Sequence, residues 1–370
     1  MSQCQTSSAG GVEAEVVDAS KLVKYVTVTG RLVPISIEDH MKLARLAHDF
    51  KRAVLMATRM VAKGVREAEV LRELRKRLNK AYADSAFKTA KAIVEGCLFN
   101  GGNPLHIEVR KLFIVSEGEA SRLGNRNVKF EGTDIIKVKY PYDGSWLSLR
   151  AEFGGEQLPL VKELVDLAER RRISYRTEIV FRSGKVYLHL SIPIELYLKH
   201  LGRGRGRRGR GGLVAGIDLN SDRVCMVVVD SLGRVRDLKT KWFSELTSHG
   251  FSRGRARARR LEALSKIFEY ARDHNVGVVV FEDLFKVKRR RFVKSRKANR
   301  KISKFAKRKL LQHGVVMALR RGFEVLLVEP RGTTSSEEHA KVMRELGLDK
   351  HVASAYLIAL RGLHEAGARK

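Results

Sequence analysis

Cysteine is scarce: Cys4, Cys97 and Cys225 stand far apart in 370 residues. That spacing excludes a disulfide scaffold and a four-cysteine zinc site within the chain, and a reducing cytoplasm is expected. Long apolar runs are missing as well. The longest, such as Val224–Val229, reach six residues, far short of the ~18 needed to span a bilayer. No membrane partner is expected. Met1–Val16 lacks the basic-then-apolar order of a signal peptide. Glutamine is rare too, at four residues in a chain that is 31% charged, a balance that hints at a thermophilic source. Acid is short of base, 41 Asp+Glu against 73 Lys+Arg, for a net charge of +32.

What is present is ample for folding. With 44% hydrophobic residues the charge decorates packed domains, two or three of them by length. The excess is also concentrated: residues 201–310 hold 31 Lys+Arg and 10 Asp+Glu, a net of +21. Charge that dense attracts a polyanion through counterion release, and a phosphate backbone is the expected partner. No amphipathic membrane helix or lipidation signal accompanies it.

Along the chain, residues 1–20 read as a disordered tail, and Val23–Ser36 alternates as a strand or hairpin. Ile37 to about Gly64 is helical, with Leu43, Leu46, Ala47, Phe50 and Val54 at three- and four-residue steps. Arg66 to about Gly96 reads as a second helical stretch that pairs with the first. From Pro104 to Leu198 the pattern is β-rich apart from one helix, Leu158–Arg171, and Ser183-Gly184 marks a hairpin turn. Leu201–Gly212 (LGRGRGRRGRGG) is a joint between domains and lacks the Lys-Ser/Thr ending of a phosphate-binding loop.

Beyond the joint, strands are expected at Leu213–Leu219, Arg223–Asp230 and around Val235–Thr240, then a helix over Ala256–Asn275. A strand over Val276–Phe281, a basic helical segment, a strand over Phe323–Val328 and a last helix from about Lys350 follow. Three strands, a helix, then alternating strand and helix is the order of ribonuclease-H-like domains.

Two carboxylates sit at strand ends there: Asp218 in VAGIDLN and, 64 residues on, Glu282 in VVVFEDL. Leaving an apolar strand with a charge is costly unless the charge is paired or binds a metal. On neighbouring strands the two would supply hard oxygen ligands for Mg²⁺ or Mn²⁺, and phosphodiester hydrolysis by a two-metal mechanism follows. A third ligand is sought at the last helix, where Asp349 and His351 are the candidates. Asp349 also suits a helix N-cap, and His351 would stand in the first turn.

Basic side chains flank this set. Arg253, Arg255, Arg257, Arg259 and Arg260 enter one helix. Lys286–Lys309 holds 14 Lys/Arg in 24 residues with no acid, among them Arg289, Arg290, Arg291, Lys294, Arg296, Lys297, Arg300 and Lys301. These are expected to bind backbone phosphates rather than to read bases. Trp146 and Trp242 are aromatics able to stack on unpaired bases, although such rings are more often core residues. Cys225 reads as a small core residue, and His339 lacks zinc-finger spacing.

With these residues in view the sequence resembles the TnpB family (OrfB of insertion sequences), transposon-encoded relatives of type V CRISPR effectors. The resemblance runs through LNKAYADSAFKTAKAIVEG, GKVYLHLSIPIE, GIDLN, VFEDL, VEPRGTTS and DKHVASAYLIALRG, in that order. It implies an RNA-guided DNA endonuclease with a RuvC-like domain, whose partners are a guide RNA from the transposon end and double-stranded target DNA. It implies a β-barrel wedge domain over 21–36 and 101–200 with an inserted helical recognition lobe over 37–100. A linker over 201–212 and a nuclease domain over 213–370, with its basic segment at 286–309, complete the chain. Asp218 matches the family's first catalytic Asp and Glu282 its catalytic Glu.

The sequence departs from the family twice. Arg331–Leu348 has none of the usual Cys-x-x-Cys motifs, so no zinc is expected and that domain is absent or reduced to a short helix. Where the family typically has Asp-x-Asp-x-Asn, this chain reads Asp349-Lys350-His351-Val352-Ala353, which puts His351 at the second, catalytic Asp. The alternatives are an RNA-guided DNA-binding protein that has lost cleavage, acting as a repressor, and a general RNA/DNA-binding protein with a vestigial nuclease fold.

Overall fold

A computed structural model describes residues 17–18, 23–202, 212–247, 251–284, 307–331, 333 and 336–368. The chain divides into two compact units, 24–201 and a second made of the N-terminal segment to Val23 with 202–370. The basic segment from Arg289 to Lys301 lies outside the described residues. The first described element, the two-residue strand β1 (Val17–Asp18), belongs to the second unit. It corrects the expected disorder of the tail at that point.

In the first unit, β2 (Tyr25–Pro34) leads into three helices, α1 (Ile37–Ala62), α2 (Glu67–Arg75) and α3 (Lys80–Phe99). The helical stretch expected from Arg66 to Gly96 is thus broken in two. Asn79 starts the second part by accepting the Tyr82 amide at 2.8 Å, which ends the first without Gly or Pro. The apolar stripe of α1, from Leu43 to Ala57, is fully buried together with Phe113, Ile136 and Leu149.

The strands that follow are β3 (Leu112–Ser116), β4 (Gly118–Glu119), β5 (Gly124–Asn125), β6 (Val128–Glu131), β7 (Ile135–Lys139) and β8 (Trp146–Glu152). Helix α4 (Leu158–Glu169), β9 (Arg176–Arg182), β10 (Lys185–Pro193) and α5 (Ile194–Leu201) complete the unit. Seven of the strands form one sheet in the order β3-β9-β10-β2-β8-β7-β6. It is curled and open, so the expected barrel takes the form of a half-barrel. Ser183 and Gly184 both have positive φ, 50° and 71°, as a two-residue hairpin turn with right-handed strand twist requires. Helix α5 was not expected: IELYLKHL reads as a continuation of the strand before it.

The second unit is built on β11 (Val214–Leu219), β12 (Arg223–Val229) and β13 (Val235–Trp242), then α6 (Arg253–Asp273), β14 (Val278–Glu282), α7 (Lys307–Arg320) and β15 (Glu324–Val328). Two helices close it, α8 (Glu337–Leu346) and α9 (Lys350–Ala368). The strand order is β1-β15-β14-β11-β12-β13, with β12 antiparallel to both of its neighbours and β14 and β15 parallel to β11. Leaving β1 aside, the third, second, first, fourth and fifth strands lie side by side with the second reversed. This is the strand arrangement of a ribonuclease-H-like domain.

Strands β11 and β12 are buried on both faces, which explains their unbroken apolar runs. Helix α9 covers one face through Val352, Ala355, Ile358 and Ala359, against Val214, Cys225, Val227, Val280 and Leu326. On the other face Phe281 meets Phe268 of α6 edge to face, with ring centroids 6.3 Å apart. Among the described residues no helix is long and apolar enough to cross a membrane.

Candidate active site

Side chains alternate along a strand, so each residue's face can be read from its neighbours. A Cβ on Gly216 would stand 2.1 Å from the Ala355 carbonyl oxygen, so Gly216 faces α9 and Asp218, two residues on, faces the same way. Gly362 of α9 abuts Val280 in the same manner, which puts Glu282 on that face too. In the parallel pairing Ile217 stands opposite Phe281. One residue further, Asp218 and Glu282 leave neighbouring strands side by side, on strands roughly 4.8 Å apart.

Helix α9 brings its first turn to this point. His351 Nδ1 is 3.2 Å from Asp218 Oδ2. Asn220 fills the angle between them, with Nδ2 2.6 Å from Asp218 Oδ2 and 2.9 Å from His351 Nδ1. Asn220 donates to Asp218, and which group donates at His351 Nδ1 depends on the tautomer of the ring. Asp218 itself is buried.

Asp349 is placed differently. Its Oδ1 accepts the backbone amides of His351 at 2.8 Å and Val352 at 3.1 Å. It is the N-cap of α9, and its charge, like that of Asp218, acts on the Cys225 thiol. The hydrogen-bond contact with Asp218 among the described residues comes from His351. Glu282 accepts a hydrogen bond from the hydroxyl of Thr333, which is fully buried. That hydroxyl also lies 2.8 Å from the Pro330 carbonyl oxygen. Arg361 of α9 holds the same loop by donating to the Glu329 and Arg331 carbonyls at 2.8 and 2.6 Å. So α9 fixes both sides of the site.

Cys225 pairs with Asp218 across the strands, yet burial pushes its thiol up to about 12. It stays a neutral core group rather than a thiolate ligand. Asp230 is also buried, but its carboxylate accepts the Leu232 and Arg234 amides at 2.9 Å and pairs with Arg236 at 2.8 Å. It is explained by its turn.

The basic cluster entering α6 divides. Arg255 and Arg257 are exposed, the latter bonded to His313 at 2.6 Å. Burial, with Arg257 and Lys309 nearby, keeps His313 below its ordinary pKa, so it accepts as a neutral ring. Arg253 begins the helix. Arg260 is buried and donates to the Ser221 carbonyl at 3.3 Å, supporting the turn after Asp218 rather than facing a ligand. Helix α8 fills the place where cysteine motifs were missing. His339 ties it to α9 through the Lys350 carbonyl at 2.9 Å.

Both tryptophans depart from the core reading: Trp146 is 38% exposed and Trp242 59%. Sequence reasoning also passed over Asn220, Gly216 and Thr333. Asn220 and Thr333 lie inside GIDLN and VEPRGTTS, but their partners come from 131 and 51 residues away.

The family model described as the SSO2105 N-terminal domain matches residues 25–202, nearly the bounds of the first unit. The protein SSO2105 of Saccharolobus solfataricus is 46% identical over 347 residues, covering 92% of each chain. The chain belongs to the SSO2105 family. A second relative, from Aeropyrum pernix, is 31% identical to this SSO2105-family chain and covers 77% of it and 80% of its own length. Among solved structures, Cas12f1 in complex with sgRNA and target DNA aligns over 87% of this chain and 82% of its own, at 13% identity and a TM-score of 0.41. At that score it adds nothing to what the strand order establishes.

The donor set can be tested against a divalent cation. An oxygen and a nitrogen 3.2 Å apart match the roughly 3 Å between adjacent ligands of an octahedral ion bound at ~2.1 Å. Among the described residues no three His, Cys, Asp or Glu side chains are grouped closely enough to hold an ion by themselves. Asp218 and His351 fit as a pair once the Asn220 amide that bridges them is displaced, and Glu282 stands on the next strand with its carboxylate held by Thr333.

Proposed function

We propose that this SSO2105-family protein is a divalent-metal-dependent nuclease of RuvC type, and that it works on DNA under the direction of an RNA, as the TnpB resemblance implies. The observation that supports the reading is the contact between Asp218 and His351, with Glu282 at the matching position of the neighbouring parallel strand. Two carboxylates come from adjacent parallel strands and an imidazole from the helix laid across them. Asp218, Glu282 and His351 would hold the metal, Mg²⁺ or Mn²⁺, which when bound supplies charge for the phosphate and an acidified water.

The residues around them have definite tasks. Thr333 orients Glu282, and Asn220 bridges Asp218 and His351 until it is displaced by the metal between them. Arg260 braces the turn that carries Asn220. Arg255 and Arg257, with the Arg289–Lys301 segment, would attract and place the phosphate backbone without reading sequence. The guide RNA and the double-stranded target rest on the motif resemblance, as do the wedge and recognition roles of residues 21–200. No zinc is part of the proposal.

The engagement of Asp349 as a helix cap favours a second reading. If His351 cannot replace the carboxylate, the chain would bind RNA-selected DNA without cutting it. Co-purifying the protein with RNA from its own locus, and adding matching plasmid with Mg²⁺, separates the two. Cleavage that disappears in Asp218→Ala supports the nuclease. Guide-directed binding without cleavage supports the binder.

A further inference from the structure

We propose that Trp242, backed by Arg223, is a stacking platform for an unpaired nucleotide on the strand that enters the Asp218 site; the inference rests on the nuclease reading above. Cross-strand register places it. Asp218 pairs with Cys225, Cys225 with Thr240, and Arg223 with Trp242. Arg223 is two residues from Cys225 and Trp242 two from Thr240, so both side chains lie on the face that carries Asp218. The Thr240 hydroxyl, 3.5 Å from Cys225 Sγ, agrees with that assignment.

The ring is built for contact rather than for packing. Trp242 ends the edge strand of the sheet and is 59% exposed, unusual for the residue type with most to gain from burial. The Arg223 guanidinium lies 3.6 Å from the ring centroid and is steadied by the Asp222 carboxylate at 3.4 Å. One face of the indole is thus fixed by a planar cation, which leaves the exposed remainder as a rigid surface. A flat base stacks on such a surface whatever its identity, and the cation beneath favours a ligand that carries phosphate.

Distance agrees with the reading. Two strand spacings and one two-residue step separate Trp242 from Asp218, roughly 12 Å. That is a few nucleotides at about 3.4 Å each when stacked. A base held there would set how far the strand advances before a phosphodiester reaches the carboxylates. An acidic peptide would fit the charge but not the flat, apolar ring.

The test uses the full chain carrying Trp146→Phe, so that Trp242 is the only tryptophan. Oligothymidylate is titrated in while binding is followed by the anisotropy of a label on the oligonucleotide. Tryptophan emission quenched in step with binding is expected. Trp242→Ala should weaken single-strand affinity about tenfold, within the range of base–aromatic stacking, with Trp242→Phe in between. In the unaltered protein, 2-aminopurine scanned along the oligonucleotide should be quenched within about four positions of the cut, the roughly 12 Å span taken at 3.4 Å a nucleotide.

Full-affinity binding with unchanged emission overturns the platform while leaving the nuclease reading intact, as does native affinity in Trp242→Ala. Quenching in step with binding supports the platform, and the nuclease reading then fails separately if the RNA-loaded protein leaves matching plasmid uncut in Mg²⁺. A native protein that binds no oligonucleotide overturns the platform.

Discussion

Gly216 lies against the backbone of α9 so closely that a methyl group there would stand 2.1 Å from the Ala355 carbonyl oxygen and 2.4 Å from the Ala359 nitrogen. This contact sets how near the last helix comes to β11, and so whether His351 reaches Asp218. Backbone cannot rotate aside as a side chain can. Gly216→Ala is therefore expected to cost about 3 kcal/mol, the upper end of ordinary overpacking. A thermal melt should show a fall of roughly 10 °C, with any remaining folded protein inactive.

Asp349 and His351 are separable. Asp349→Asn keeps a side-chain oxygen for the cap, so it should melt near the native temperature and retain cleavage. Asp349→Ala should lose about 1 kcal/mol of helix capping. His351→Ala should do the reverse, with stability near native and cleavage reduced at least a hundredfold. Loss of cleavage in Asp349→Asn with intact folding would reassign the third ligand to Asp349.

Thr333 donates to Glu282 while fully buried. Thr333→Val preserves shape and removes the donor, leaving a carboxylate without that partner. A cost of about 1–3 kcal/mol follows from the unmet group, together with slower cleavage at unchanged nucleic-acid affinity. Thr333→Ser should restore both.

Cys225 has its thiol pushed up to about 12 by burial. Ordinary values are near 9, so the folded state disfavours the thiolate. Stability from this source is complete below pH 9 and is lost as pH rises from there toward 12. Iodoacetamide at pH 8 should therefore modify Cys225 only after denaturation, as mass spectrometry of native and unfolded samples would reveal.

Much of the second unit is legible in the sequence because its strands are covered on both sides. Unbroken runs such as Val224–Val229 and Val278–Phe281 leave little else for those residues to form. Asp218 and Glu282 are visible for the same reason, as charges that end apolar strands. Their adjacency is not, because it depends on β14 crossing to lie beside β11. Trp242 shows the limit from the other side. In a strand pattern it reads as a buried ring, and only its place on the edge strand exposes it.

In the first unit, the stripe of α1 is plain in its three- and four-residue steps, while α5 hides in the apolar continuation of β10. The break between α2 and α3 needed the Asn79 cap to be weighed against good helix formers on either side. Strand β1 is two residues long and exists through its pairing with Leu326 and Leu327. Nothing local marks it.

The most direct test of the account is Mn²⁺ binding, followed by electron paramagnetic resonance, to the native protein and to Asp218→Ala, Glu282→Ala and His351→Ala, each first shown to be folded. The account predicts saturable binding by the native chain, lost in the two carboxylate variants and weakened in the histidine variant. Equal affinity and stoichiometry in all four proteins would contradict it.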